Sequence, residues 1–407
     1  MNTFRETRSL RDEQQAQALR QAQAQREQQR KRVRRLLHAA VALGILAALV
    51  VIGQAALGPV RLSPVNDAAR LVGRRGAGFP VEFSFSHAGQ AALLGRNLAL
   101  LGPTQLDIFS GTAYPGVAFA QPYPQPSIRA AGGRVALFDR SSGKLRLFSR
   151  TGELYSMDLG QDIFCVDLNQ YGSLAVATKS DSAASEIFVW DASERRRFAW
   201  RCESEYPSAL RLANNGRSLA MCLIGTEQAG VYARFVDFPL NARQPRTNLR
   251  IDGAWLYGAA SIFGGWLAVG DQAAYRIRHG DTEPQVFSYE GRGLHSFDAQ
   301  NNGYTAIVLE DWGNNALLRV YDRRGNLAFE QGFRKRPLDV VSRGGSVYLH
   351  FDDVILRWQR GTGFRQSQEL SQGTQAVLVT GREAYLLTMR QVELIRIRWS
   401  VPEEGEY

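Results

Sequence analysis

The chain has 407 residues, 44% of them hydrophobic, and its 49 Lys and Arg outnumber 39 Asp and Glu, for a formal net charge of +10. That length and apolar share exclude a disordered chain or a small disulfide-stapled scaffold, and they allow a large packed domain. The charge does not indicate nucleic acid either. Residues 1–36 hold ten basic and four acidic side chains, whereas the other 371 hold 39 and 35, interspersed without the clustered basic face that nucleic-acid binding needs.

The first 35 residues read as a basic cytoplasmic tail. Ser9 to Arg35 consists almost wholly of helix formers, with Ser9 placed to cap and Asp12 and Glu13 in the first turn. Leu10, Leu19 and Val33 are its only large apolar residues, so it has no stripe to bury and reads as a solvated helix or a disordered arm. Arg30, Lys31, Arg32, Arg34 and Arg35 then precede 25 residues without a formal charge, Leu36 to Val60. As a helix that run reaches roughly 37 Å, enough to cross a ~30 Å hydrocarbon core. The five cations on one side and the single Arg61 on the other keep the N-terminus inside and send the rest across the membrane. A cleaved signal peptide is the rival, with small residues at 53–55. Its charged leader would, however, exceed the whole length of a usual signal. The sequence therefore predicts a signal anchor over 36–60 and a linker over 61–78.

From residue 79 the text turns to short alternating runs broken by turn residues. One phrase returns, a turn glycine followed by an apolar strand, at Gly95, Gly133, Gly172, Gly216, Gly265, Gly303, Gly345 and Gly381. The intervals are 38, 39, 44, 49, 38, 42 and 36 residues, a period near that of four-stranded propeller blades. A second strand with alternate apolar positions follows in most units, as in "LRLFS" at 145 and "LRVYD" at 318. The last unit has three strands, and "FPVEFSF" at 79–85 is a spare one that would complete it. The expected fold is all-β: a propeller of about eight four-stranded blades over 79–400, seven being the alternative, closed by its two ends and followed by an acidic tail at 401–407. The unit from 216 to 265 is the least regular and has room for a long inter-blade loop.

"VALFDRSSGKLRLF" at 135–148 resembles the repeat of the pyrroloquinoline-quinone-type propeller superfamily, in which a strand ends in Asp and a polar turn ends in Gly. Asp139 and Gly143 match those positions, and Asp322 with Gly325 match a shorter, NHL- or WD-like version. The layout of basic tail, single span and external propeller also resembles uncharacterised bacterial membrane-anchored propellers. The quinone enzymes of that superfamily hold their cofactor with adjacent cysteines, which this chain lacks, so the resemblance implies the fold and no cofactor.

No catalytic motif appears. Cys165, Cys202 and Cys222 form no zinc spacing and read as three unpaired thiols, or one bridge and one thiol. His38, His87, His279, His295 and His350 are scattered, without the spacings of a metal site. Glu310 and Asp311, and Asp352 and Asp353 after His350, are turn carboxylates that could serve a glycosidase or calcium, or simply be solvated. The seven tryptophans read mainly as packing between blades, with one or two free to line a sugar-binding face. The functional expectation is a membrane-anchored, extracytoplasmic binding or scaffold module for an envelope protein or polymer, without catalysis or metal, touching lipid through 36–60. A glycan-active enzyme and a sensor signalling through the tail are the alternatives.

Overall fold

The structure, a computed structural model, describes residues 41, 60–83, 89–299, 303–367, 370–371 and 373–401. The tail with its five-cation cluster, the span up to residue 59 apart from Val41, His38, His87 and residues 402–407 lie outside the described residues. Among the described residues no helix is long and apolar enough to cross a membrane. The chain divides into two compact units, Met1–Gly58 and Pro59–Tyr407, and every described strand belongs to the second.

Eight four-stranded antiparallel sheets form the blades of a β-propeller. In chain order blades 1 to 7 span 90–120, 126–158, 163–202, 206–252, 256–288, 294–333 and 339–366. Blade 8 takes three strands from 376–396 and its outermost strand, Val81–Glu82, from the start of the domain, paired with Gln391–Arg396. The spare strand at 79–85 thus closes the ring as expected, with two residues in the ladder and the Phe83 amide donating to Arg390 O.

Within each blade the strands run a to d from channel to rim. The b strands are buried along their whole length, as in Asn97–Leu101, Gly265–Gly270 and Ser346–His350. Both of their faces are covered by neighbouring blades, which explains apolar runs rather than strict alternation. The d strands alternate toward solvent, as in Glu153–Asp158. Eight apolar clusters fill the ring, one between each neighbouring pair of blades, from Phe148 and Leu137 between blades 1 and 2 to Tyr385 and Leu98 between blades 8 and 1.

The turn glycines fall where the repeat put them. Gly95, Gly133, Gly172, Gly216, Gly345 and Gly381 have positive φ in the a–b turns. In blade 5 the positive φ belongs to Gly264, and Gly265 opens the b strand with its Cα against the Ile277 backbone, leaving no room for a Cβ. The irregular unit holds no long inter-blade loop. Its extra residues lengthen one hairpin, Ser218–Glu227 with Gly230–Pro239. The three cysteines are all free thiols.

The expected linker is partly a helix, α1, over 60–71. It docks on blades 2 and 3 through a polar stripe. Val60, Ser63 and Asp67 are buried at positions i, i+3 and i+7. Pro64 has no N–H to give to the Val60 carbonyl, which accepts instead from Ser63 Oγ at 3.0 Å and from Arg134 Nη2 at 2.6 Å and Nε at 3.2 Å, Nε also lying 3.0 Å from Ser63 Oγ. Asp67 accepts from Ser149 Oγ, Thr151 Oγ1 and the Arg150 amide and Nε at 2.6–3.2 Å. We call this the lower face, formed by the a–b and c–d turns. The upper face carries the d–a and b–c connections.

Candidate functional site

The upper mouth of the channel is built by four consecutive bulges. On the a strands of blades 3 to 6 the pairing skips one residue near the upper end: Phe164, Ser208, Tyr257 and His295. Such a bulge leaves its extra residue out of the ladder and re-aims the side chain. Blades 1, 2, 7 and 8 keep regular a–b registers. The bulged residues therefore form an arc over half the ring.

Aromatics gather on this arc. Phe164 meets Tyr206 edge-on at 5.8 Å, and Trp255 stacks with Tyr257 at 6.3 Å and 24°. Tyr206, Trp255 and Tyr257 stay 42–51% exposed, and Trp312, in the b–c turn of blade 6, is 91% exposed. Leu338 and Met389 continue the apolar surface over blades 7 and 8. Ser208 is tied inward instead, donating to Cys222 O or Leu256 O. His295 faces the Pro337 carbonyl through Nε2 at 2.8 Å, leaving Nδ1 at 3.5 Å from Glu310.

The turn carboxylates singled out in the sequence do reach this face, on neighbouring blades 6 and 7, but each is paired. Glu310 binds Arg336, Asp311 lies 3.7 Å from Arg292, and Asp352 and Asp353 share Lys335 at 3.2 and 3.5 Å. The hydrogen bond that the Lys335 ammonium donates to Asp352 leads the causes that raise its pKa. His350 is buried in a b strand without a hydrogen-bond partner for either ring nitrogen, and burial lowers its pKa, so it is a neutral core residue. His279 lies on the lower face, 2.9 Å from the buried Asp237. Among the described residues no group of three His, Cys, Asp or Glu could hold a metal ion.

One carboxyl at the mouth differs. Asp339 begins the a strand of blade 7 and is exposed; desolvation raises its pKa against the opposing Val340 amide bond, with Asp298 adding to the rise. Deeper in the channel the charges are spent on joining blades. Asp167 accepts from Arg129 at 2.8 Å and from the Leu212 amide at 2.7 Å, and Arg211, 3.6 Å from it, donates to Ala259 O and Ala299 O. Asp298 accepts the Ser342 amide.

Asp139 and Gly143 occupy a b–c turn. Burial works against ionisation of Asp139, but hydrogen bonds from Ser141, Ser142 and the Gln125 amide outweigh it and hold the pKa below the usual range. Asp322 and Gly325 form a c–d turn closed by the Arg324 and Asn326 amides. Both motifs are turn chemistry and neither lies in the aromatic arc.

Comparison with known proteins agrees with the fold. Residues 121–242, most of blades 2 to 4, match a family of unknown function (DUF5711). No curated protein matches the sequence. Among solved structures the chain is similar to a computationally designed protein, Ika8, at 11% identity and TM-score 0.57, over 78% of this chain and 98% of that one. It is also similar to the C-terminal WD40 domain of Sif2 at 11% identity and TM-score 0.53, over 80% and 99%. A third likeness is to the dihydro-heme d1 dehydrogenase NirN at 13% identity and TM-score 0.51, over 84% and 92%. At these identities the likeness is one of architecture. The chain is a β-propeller.

Sequence reasoning placed most tryptophans between blades, and Trp266 and Trp358 are buried there. It did not single out Tyr206, Tyr257 or Phe164. Their only sequence signal is a common one, an aromatic near the start of successive a strands.

Proposed function

We propose that the chain is an extracytoplasmic binding module, held to the membrane by the uncharged run ahead of α1, residues 36–59 (Val60 itself is buried against blades 2 and 3), which grips an envelope protein with its upper face. The observation that carries this reading is the bulge-built arc of exposed aromatics, Tyr206, Trp255, Tyr257 and Trp312, extended by Leu338. Tyr206 and Tyr257 on a strands, with Trp255 beside them and Trp312 in a b–c turn, give large aromatic contact area, the chemistry of protein-binding hot spots. The pairing of Glu310, Asp311, Asp352 and Asp353 with basic partners supports binding over acid–base chemistry, because a paired carboxylate is a poor proton donor.

A glycan-active enzyme is the second reading. The Trp255–Tyr257 stack of blade 5 offers a sugar platform, and Asp339 of blade 7, with its raised pKa, offers an acid on the same face. One experiment separates the two. A photoreactive phenylalanine analogue is placed at Tyr257, at Trp312 and, as a control, at Phe263, which is 82% exposed on the lower face. Irradiation of intact cells should give one defined protein adduct from the first two positions and none from the third. Adducts to glycan would favour the enzyme, and equal adducts from all three would refute an upper binding face.

A further inference from the structure

On the lower face, α1 and the rims of blades 3 and 4 enclose a furrow of about 650 Å³. It shares Arg61, Ser173, Asp191 and Gly216 with an adjoining hollow of about 500 Å³. Four guanidinium groups line the furrow: Arg61 from α1, Arg196 and Arg197 from the d strand of blade 3, and Arg217 from the a–b turn of blade 4. Two consecutive strand residues normally point to opposite faces. Here Trp190 pairs with Arg196 and Val189 with Phe198, so Arg197 is the extra residue of a bulge, and both arginines reach the same cleft.

The charge is poorly compensated. Among the described residues Asp191 is the only acidic one in the lining, and it is engaged by Arg197 at 3.3 Å and Arg195 at 3.6 Å. Arg196 lies over the Phe188 ring, and among the described residues Arg61 and Arg217 have no carboxylate partner. Like charges gathered this closely repel one another unless an anion joins them. Ser173 and Asn241 add neutral donors, and Val189, Trp190 and Leu240 give the furrow an apolar side.

We propose that this furrow binds a phosphate-bearing anion, with Arg61, Arg196 and Arg217 as its donors. Guanidinium forks match oxyanions two oxygens at a time, which favours them over chloride, and a phosphate group has oxygens and charge enough to engage more than one fork, which a lone carboxylate has not. Two sources share that chemistry: the headgroup of an anionic phospholipid and a soluble phosphate. Arg61 directly follows the uncharged run of 36–60. If that run is an anchor, headgroups lie within reach of it. The preference for lipid rests on the anchored reading, whereas the anion site itself does not.

The test uses the full chain in neutral maltoside micelles. Dihexanoyl phosphatidylglycerol, dihexanoyl phosphatidylcholine and inorganic phosphate are titrated by calorimetry into three proteins. These are the unaltered chain, Arg196→Gln/Arg217→Gln, and a charge-matched control, Arg324→Gln/Arg390→Gln, with folding checked by circular dichroism. The furrow variant should bind phosphatidylglycerol at least tenfold more weakly, and the control within twofold of the unaltered chain. Competition by inorganic phosphate would assign the site to the phosphate group alone, and lack of competition to the whole headgroup. Equal binding of phosphatidylcholine, equal losses in both variants, or no anion binding by the unaltered chain would overturn the proposal. A chain that carbonate strips from membranes yet keeps its anion affinity would remove the anchor and leave the site.

Discussion

Replacing Asp67 by Ala should release α1 without unfolding the propeller. The Asp67 side chain is 2% exposed and accepts four hydrogen bonds, from Ser149, Thr151 and the backbone and side chain of Arg150. Bonds to a buried charge contribute about 1.5–3 kcal/mol each when measured singly, but here opening admits water to the donors, so they are not stranded. The net loss in docking free energy is then roughly 2–4 kcal/mol, which raises the open population of α1 about 30- to 1,000-fold. Hydrogen exchange read by mass spectrometry would show this as faster exchange over 60–71, with the b strands Asn97–Leu101 and Arg134–Asp139 unchanged. Asp67→Asn, which keeps the shape and loses the charge, should fall between. Unchanged exchange over 60–71 would refute the polar dock. Equal acceleration across the blades would mean that α1 is part of the cooperative ring.

Two other outcomes rest on buried groups. Arg211→Met removes the donors to Ala259 O and Ala299 O that link blade 4 to blades 5 and 6, and should lower stability by roughly 2–4 kcal/mol in urea unfolding; a change under about 0.5 kcal/mol would show that the link is idle. Burial pushes the thiols of Cys165 and Cys222 from an ordinary 9.0 up to about 12, and Cys202 up to about 11. Cys202 and Cys222 are buried as well as held in the thiol form, so iodoacetamide at pH 8 should label these two only on unfolding. The same shifts set a pH dependence. The folded state holds these protons to higher pH than the unfolded state, so their stabilisation is intact below about pH 9 and is lost between about 9 and 12. A thermal midpoint that stays flat from pH 9 to 11 would contradict it.

The repeat was legible because blade turns demand a particular backbone. A residue at positive φ is nearly always Gly, so Gly95, Gly133, Gly172 and Gly216 mark the a–b turns in plain text. The closing strand was legible because one unit lacked a strand and another run had none to join. The bulges were not. Phe164, Ser208, Tyr257 and His295 share no residue type, and a one-residue skip in register depends on how the blade above the channel is paired. The dock of α1 was hidden for a different reason. Its buried stripe includes Ser63 and Asp67, which on a helix read as solvent-facing until Arg134 and the Ser149–Thr151 turn are brought beneath them. The carboxylates at 310–311 and 352–353 were found, but their cationic partners Arg292, Lys335 and Arg336 come from the d–a connections of their own or the next blade, too far in sequence to be paired by eye.

The order of elements at the start of the domain also has a mechanical consequence. Among the described residues, the strand that seals the ring places Val81 and Glu82 in its ladder. A pull arriving along the chain from the N-terminal side must first tear α1 from its seat, breaking the Asp67 and Arg134 contacts, before any load reaches that seal. The helix therefore works as a strain relief, as a clamp does on a cable: the closing strand bears tension only after a separate fastening has let go.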